Sequence, residues 1–275
     1  MQASLSATGD KPAIINWTVD ENQDMIISRD LGKDGNVNVL KTRASEFKSE
    51  VKLGNSKQQA AVGAFVHPQT GNIYYALYKD QSIYEYKFED KTTNVIASHP
   101  RVKETLRMVV HPTGKYAYLL RQYNERGNGY ISRMDYNSTA NQFTTPYIVA
   151  GSASGSGYRD GVGSRVQMNG PTQGVFVKNP EYAGEEDEYD FYFCDERNHC
   201  IRILTPTGRV VTFAGRGNDS SDPGFANGAL RSEARFAYPW ALAYDEKRKC
   251  FYVGERGMNR DGKEQAVIRK IAMEE

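Results

Sequence analysis

The chain has 275 residues, of which 39% are hydrophobic and 25% are charged, a composition that supports a buried core and argues against a disordered chain. Its 35 Lys and Arg residues against 34 Asp and Glu residues give a formal charge of +1, so we do not expect nucleic acid as a partner. No apolar run is long enough to cross a membrane, and the residues after Met1 lack the charged and apolar regions of a signal peptide. The sequence therefore predicts neither a transmembrane segment nor a signal peptide in this chain.

Short runs of β-branched and aromatic residues, separated by turn residues, predict an all-β fold. In the first half of the chain a rhythm of strand, turn and strand recurs three times. Two His-Pro pairs begin at His67 and His111 and are therefore 44 residues apart, which is the period of a four-stranded propeller blade. Both histidines are expected to serve turns rather than to bind a metal.

The C-terminal half carries a clearer repeat. Residues 171–177, 189–204 and 205–215 read as strands, and a second copy runs through 234–243, 251–256 and 267–271. These segments resemble the NHL repeat, most specifically in the Cys-Asp-x-x-Asn-His stretch from Cys194 and the Thr-Pro-x-Gly-x-Val-x-Thr-x-Ala-Gly stretch from Thr205. The resemblance implies a β-propeller.

We predict one propeller domain spanning residues 1–275 with five four-stranded blades. The blades are placed at approximately 11–53, 60–98, 104–150, 170–215 and 236–271. The last blade lacks an outer strand, and residues 2–9, which resemble residues 211–215, are predicted to supply it by pairing with residues 267–271. Six blades is the alternative if residues 41–60 or 216–235 hide another one.

A ligand site is expected at one end of the sheets. In an antiparallel meander, the start of each first strand lies at the same end as the turn between the second and third strands. The glycine-rich connections 151–170 and 215–235 reach the same end. The predicted ligand-binding residues are Trp240, Arg107, Gln173, Arg121, Tyr123, Asp195, Arg197, Glu255 and Arg256.

Trp240 is the main ligand-binding candidate within this set, because it stands where the repeat has a small residue; the sequence favours packing in the core for it, with stacking on a sugar ring or another flat ligand as the alternative. Asp195 is expected to be a turn former, with ligand binding as its alternative role. Arg202 and Arg269 are expected to point outward from their strands as solubilising residues, and the three cysteines, which have no paired spacing, are expected to be buried free thiols.

No nucleophile elbow, zinc-protease motif or phosphate-binding loop is present, so we predict no catalytic residues, no metal site and no cofactor. The chain also resembles the propellers of Bacteroidetes surface lipoproteins that pair an immunoglobulin-like (IPT/TIG) domain with NHL repeats. That resemblance implies a cell-surface or periplasmic location and other outer-membrane uptake proteins as partners.

The predicted function is non-catalytic binding of a carbohydrate or another small-molecule nutrient. Two alternatives stay open. One is a propeller hydrolase or lyase with a metal near the channel axis, held by residues such as Asp195 or Glu255. The other is a protein-interaction scaffold.

Overall fold

The computed structural model describes residues 13–19, 25–30, 37–43, 46–53, 61–77, 80–87, 89–102, 105–121, 129–217, 223–258 and 264–272, and up to residue 63 it describes only the backbone. The described residues confirm the all-β prediction. Their helical segments are 3-10 turns at Gly163–Arg165, Pro180–Tyr182 and Glu196–Asn198. None of the described helices is long and apolar enough to cross a membrane.

The strands form antiparallel sheets that follow one another along the chain. The first contains β1 (Ala13–Val19), β2 (Met25–Asp30), β3 (Val37–Arg43) and β4 (Glu46–Leu53), in that order. The second contains β5 (Ala61–Val66), β6 (Ile73–Leu77), β7 (Ser82–Tyr86) and β8 (Thr93–Ser98), also in order. The third contains β9 (Thr105–Val110), β10 (Tyr116–Arg121), β11 (Gly129–Asn137), β12 (Gln142–Phe143) and β13 (Tyr147–Ser152), with both β12 and β13 paired to β11.

The fourth and fifth sheets carry the segments in which the repeat is clearest. The fourth is ordered β14-β18-β17-β16-β15 and contains β14 (Gly161–Val162), β15 (Pro171–Lys178), β16 (Tyr189–Asp195), β17 (Cys200–Leu204) and β18 (Arg209–Ala214). In the described residues the fifth sheet has three strands, β19 (Pro239–Asp245), β20 (Cys250–Met258) and β21 (Glu264–Ala272). Residues 2–9, the predicted fourth strand of this sheet, lie outside the described residues.

The chain divides into two compact units. The first comprises Met1–Leu119 and Met134–Pro146, and the second comprises Leu120–Arg133 and Tyr147–Glu275. The core of the first unit is apolar and aromatic. Its buried members are Phe65, Tyr74, Ala76, Ile83, Ile96, Val102, Met108, Ala117, Leu119, Met134 and Phe143.

His67 and His111 serve turns in the first unit, as the sequence predicts. The Nδ1 atom of His67 accepts a hydrogen bond from the backbone N–H of Gln69 at 3.3 Å, and its Nε2 atom lies 3.1 Å from the carbonyl oxygen of Gly114. His111 accepts through Nδ1 from the N–H of Thr113 at 3.2 Å. Burial lowers the pKa of His67, which agrees with a neutral ring that accepts at Nδ1 and donates from Nε2.

A buried carboxylate, Glu85, also lies in the first unit. Its Oε1 atom accepts from the amide of Asn72 at 2.9 Å and from the hydroxyl of Tyr74 at 3.0 Å, and its Oε2 atom accepts from the amide of Asn141 at 3.1 Å. Neutral donors therefore replace the water that burial removes, which is how a buried carboxylate is accommodated.

The second unit has its own core, in which Val177, Tyr192 and Ile201 of the fourth sheet pack with Leu242 and Phe251 of the fifth. Cys194, Cys200 and Cys250 are buried free cysteines, which confirms the sequence prediction. Burial raises the pKa of the Cys194 and Cys200 thiols well above the usual value, so both are expected to be unreactive in the folded chain.

Strand β15 of the fourth sheet requires glycine at position 174. Gly174 is buried, and a Cβ atom there would overlap the Phe191 ring and the carbonyl oxygen of Tyr192 on the neighbouring strand β16. The backbone of β15 can take its place beside β16 only because this residue has no side chain.

We expect Gly174→Ala to lower the free energy of unfolding by about 1–3 kcal/mol, because the added methyl group must displace backbone in a packed sheet. Gly155→Ala is the matched control, because a Cβ at Gly155 meets no atom within 4 Å. Urea unfolding followed by circular dichroism measures both variants. Equal stability of the two variants would contradict the described packing.

Candidate functional site

The fourth and fifth sheets of the second unit share one end, which we call the Trp240 end. It is the end at which β15 and β19 begin. There Pro171 of β15 pairs with Asp195 at the end of β16, and Pro239 of β19 pairs with Glu255 of β20. Within these two sheets, the starts of β15 and β19 therefore lie beside Asp195 of β16 and Glu255 of β20, as the meander geometry predicts.

Hydrogen bonds connect the two sheets at the Trp240 end. The hydroxyl of Thr172 donates to the backbone carbonyl of Trp240 at 2.9 Å, and the backbone N–H of Tyr238 donates to Nδ1 of His199 at 3.1 Å. The Tyr238 and His199 rings also meet edge to face, with their centroids 4.5 Å apart. These contacts fix the position of Trp240 relative to β15.

Trp240 lies at an irregularity in its strand, because the pairing register of β19 with β20 shifts between Pro239 and Ala241. Such irregularities re-aim side chains and are common beside binding sites. The indole is half-buried, and the exposed guanidinium of Arg256 lies over it at 4.4 Å from the ring centroid. Gln173, also half-buried, occupies the corresponding irregularity of β15.

Near the Trp240 end, Arg202 makes the most extensive polar contacts, and this residue is 0% exposed. Its Nη1 atom donates to Oδ2 of Asp195 at 2.9 Å and to the carbonyl of Gln167 at 2.7 Å. Its Nη2 atom donates to the carbonyl of Arg159 and to Oδ1 of Asp160, each at 2.8 Å. The expectation that Arg202 points outward is wrong, because the carbonyls of the connecting segment and two carboxylates replace water around the guanidinium.

Arg269 repeats this arrangement in the fifth sheet. Its Nη1 atom donates to the carbonyl of Arg235 and to Oε1 of Glu255, the latter at 3.3 Å. Its Nη2 atom donates to the carbonyl of Ala226 at 2.6 Å and to Oδ1 of Asn227 at 2.7 Å. The outward expectation for Arg269 is therefore also wrong.

We call each of these arrangements an arginine anchor. In the fourth sheet, Arg202 of β17 joins the carboxylate of β16 to the connecting segment before β15. In the fifth sheet, Arg269 of β21 joins the carboxylate of β20 to the connecting segment before β19. The two anchors are equivalent, because Asp160 precedes Arg202 by 42 residues and Asn227 precedes Arg269 by 42 residues. Asp160 and Asn227 thus have a structural role in the two anchors.

Each anchor carboxylate also fixes the approach to a first strand. Asp195 accepts through Oδ1 from the N–H of Asn169 at 2.7 Å, and Glu255 accepts through Oε2 from the N–H of Ala237 at 2.6 Å. Burial raises the pKa of Glu255, although the Ala237 N–H and Arg269 oppose this shift. Burial is the largest influence on the Arg202 guanidinium and opposes its charge, but Asp195, Cys200 and Asp160 together outweigh burial, and the pKa is raised.

The structure separates the predicted ligand residues into groups. Trp240, Gln173 and Arg256 belong to the Trp240 end, and Arg197 is an exposed residue of the turn after β16. Asp195 and Glu255 lie at the same end, but they are buried and bind the anchor arginines, so in this structure they serve the fold. Ligand contact by any of these residues stays a prediction.

The other predicted residues are placed differently. Arg107 is buried in the first unit, and burial lowers the pKa of its guanidinium to about 10. Arg121 is the last residue of β10, where the structure describes its backbone alone. Tyr123 lies outside the described residues.

No cluster of three or more His, Cys, Asp or Glu side chains suited to a metal ion occurs in the described part of the chain. The metal-dependent alternative considered Asp195 and Glu255 as ligands. Both carboxylates instead hold a guanidinium and a backbone N–H, so a metal there would have to displace both partners.

Comparison with known proteins finds the fold of this chain in proteins of Bacteroides. An auxiliary nutrient binding protein from Bacteroides ovatus is 41% identical over 95% of this chain, with a TM-score of 0.79. An auxiliary nutrient binding protein from Bacteroides thetaiotaomicron is 39% identical over 92% of this chain, with a TM-score of 0.76. The chain spans 59% and 58% of the lengths of these two proteins.

A further Bacteroides thetaiotaomicron protein, which bears a provisional phosphatase name, is 34% identical over 94% of this chain and 58% of its own length, with a TM-score of 0.73. No family model matches the chain, and no curated protein matches it. The chain is therefore an all-β protein of several antiparallel sheets, and it shares the fold of the matched part of the Bacteroides nutrient binding proteins.

We expect Arg202→Met to lower the free energy of unfolding by about 3–5 kcal/mol, because it leaves the carboxylate of Asp195 buried without its cation. Arg209→Met on β18 is the control and should change stability by less than about 0.5 kcal/mol, because Arg209 is exposed. Adding Asp195→Asn to Arg202→Met should restore part of the loss, since the unpaired charge is removed. Urea unfolding of the four proteins checks this order, and equal midpoints for Arg202→Met and Arg209→Met would contradict the anchor.

Proposed function

We propose that this chain is a non-catalytic module that binds a small-molecule nutrient. The observation that carries the proposal is its similarity, at 41% and 39% identity over nearly the whole chain, to two auxiliary nutrient binding proteins. At this level of identity the folds are comparable. The described ranges add no cluster of metal-ligating side chains that would favour a metal-dependent reaction.

Carbohydrate is the proposed ligand class, and the Trp240 end is its proposed site. Because the Arg256 guanidinium lies over one face of the half-buried indole, the sugar ring is proposed to stack on the opposite face, and the exposed Arg256 can donate to hydroxyl groups. Gln173 supplies an amide that can both donate and accept. Arg197 is the further polar candidate at this end.

The architecture proposed for the module is an NHL-type propeller in which the five sheets are blades. The order of the sheets along the chain supports this, as does the repeated anchor of the fourth and fifth sheets. A cell-surface or periplasmic location and cooperation with outer-membrane uptake proteins are proposed from the resemblance to the surface lipoproteins.

Phosphatase activity is the second candidate function, and the provisional name of the protein that is 34% identical to this chain favours it. The two proposals differ in one simple assay. The assay is turnover of p-nitrophenyl phosphate by the purified chain, with controls for contaminating phosphatases. Turnover that persists in these controls would support the phosphatase and overturn the non-catalytic proposal.

A glycan array followed by calorimetry tests the carbohydrate proposal, with Trp240→Ala as the informative variant. We expect this variant to bind about ten- to a hundredfold more weakly, because a stacked aromatic ring contributes about 1–3 kcal/mol. Tyr252→Ala is the matched control, because Tyr252 is an exposed aromatic residue of the same sheet. Circular dichroism must first show that both variants fold.

Unchanged affinity of a folded Trp240→Ala would move the site away from the Trp240 end. The absence of any glycan binding by the wild-type chain would overturn the carbohydrate proposal and leave other small nutrients to be screened by thermal shift.

A further inference from the structure

Two positions of the Trp240 end carry different residues in the fourth and fifth sheets. The proline that begins β15 is followed by Thr172, and the proline that begins β19 is followed by Trp240. The residue after the anchor carboxylate is Glu196 in the fourth sheet and Arg256 in the fifth. The backbone is equivalent at this second position, because the N–H of each residue donates to the carbonyl of the residue before that proline, at 2.9 Å and 3.0 Å.

The two sheets use these positions in different ways. In the fourth sheet both residues are buried, because Thr172 is 1% exposed and Glu196 is 4% exposed. In the fifth sheet Trp240 is half-buried and Arg256 is exposed, with its guanidinium over the indole. The shared backbone therefore requires neither an aromatic ring nor an exposed cation at these positions. The stacked Trp240 and Arg256 pair is a property of this site and not of the repeated architecture.

The exposed charge of the Trp240 end is positive. The strand ends and the turn that form it are residues 169–173, 195–199, 237–241 and 254–256. All acids of these ranges are buried, and two of them hold the anchor arginines, whereas all arginines of these ranges are exposed. A surface that shows solvent guanidinium groups while its carboxylates are buried favours an anionic ligand. The acids are Asp195, Glu196 and Glu255, and the arginines are Arg197 and Arg256.

The Arg256 side chain is available to such a ligand. Within the part of the chain that the structure describes, no carboxylate forms a salt bridge with it, and its guanidinium contacts the Trp240 ring instead. An aromatic ring attracts a cation through its quadrupole but carries no net charge that neutralises it. A guanidinium binds a carboxylate with two parallel hydrogen bonds, so a carboxylate of the ligand suits the chemistry of this side chain.

We propose that the Trp240 end binds an acidic oligosaccharide, whose sugar units carry carboxylate groups; this inference rests on the proposed carbohydrate function. One sugar unit stacks on the face of the Trp240 indole that Arg256 leaves open. The carboxylate of a neighbouring unit passes the edge of the indole and accepts hydrogen bonds from Arg256. Because the guanidinium and the stacked sugar lie on opposite faces of the ring, the ligand has at least two units. Arg197 adds positive potential that attracts the same ligand.

Calorimetry with matched acidic and neutral oligosaccharides tests this proposal. The pairs are trigalacturonate and its methyl ester, a hyaluronan tetrasaccharide and its methyl ester, and sialyllactose and lactose. We expect at least one acidic member to bind about ten- to a hundredfold more tightly than its neutral partner, because hydrogen bonds to charged groups are stronger than those to neutral ones. The preference should shrink as the concentration of sodium chloride is raised, since Arg256 is exposed and salt screens exposed charges.

Arg256→Gln identifies the cation that recognises the carboxylate. This variant should lose the preference for the acidic member of the pair. Arg209→Gln is the matched control and should keep the preference, because Arg209 is an exposed arginine that begins β18 at the opposite end of the fourth sheet. Circular dichroism must first show that both variants fold.

The outcomes separate this inference from the carbohydrate proposal. Equal affinity for the acidic and neutral members, or binding of neutral glycans alone in the pairs and on the glycan array, would overturn the inference and leave the carbohydrate proposal standing. A preference that survives in a folded Arg256→Gln would also overturn the inference, because the cation would then lie elsewhere. The absence of binding to any glycan would overturn both.

Discussion

A buried guanidinium needs hydrogen-bond acceptors from the protein, and the acceptors around Nη1 and Nη2 of Arg202 connect the elements of the fourth sheet. Arg202 is excluded from water, and its partners are Asp195, Asp160 and two backbone carbonyls of the connecting segment. An arginine suits this position because its planar fork binds several acceptors at fixed angles. A segment rich in glycine, which has little core of its own, is thereby held against a sheet.

The Trp240 end depends on the same contacts. The carboxylates that receive the arginines also accept the N–H groups of Asn169 and Ala237, which lie just before β15 and β19. Removing an anchor would thus displace the starts of the strands that carry Gln173 and Trp240. A ligand-binding defect in an anchor variant has to be separated from a change in the fold, whereas a defect in Trp240→Ala on a folded chain does not.

The sequence predicts the strands well and the anchors poorly. β15 to β21 follow from apolar and aromatic runs between turns, and strand direction alone places the start of β15 at the end of β16. Arg202 stands between Ile201 and Ile203, an alternation typical of a strand with one side in water. Two of the four acceptors around it are backbone carbonyls, which carry no side-chain signal. The one available signal is the shared 42-residue spacing from Asp160 to Arg202 and from Asn227 to Arg269.

Hydrogen–deuterium exchange on Arg202→Lys tests the anchor most directly. Lysine keeps the positive charge but has a single nitrogen, which cannot reach the carbonyls of Arg159 and Gln167 together with both carboxylates. The anchor predicts faster exchange in residues 157–169 and unchanged exchange in β16 and β17. Unchanged exchange in residues 157–169 would contradict the claim that Arg202 holds this segment in place.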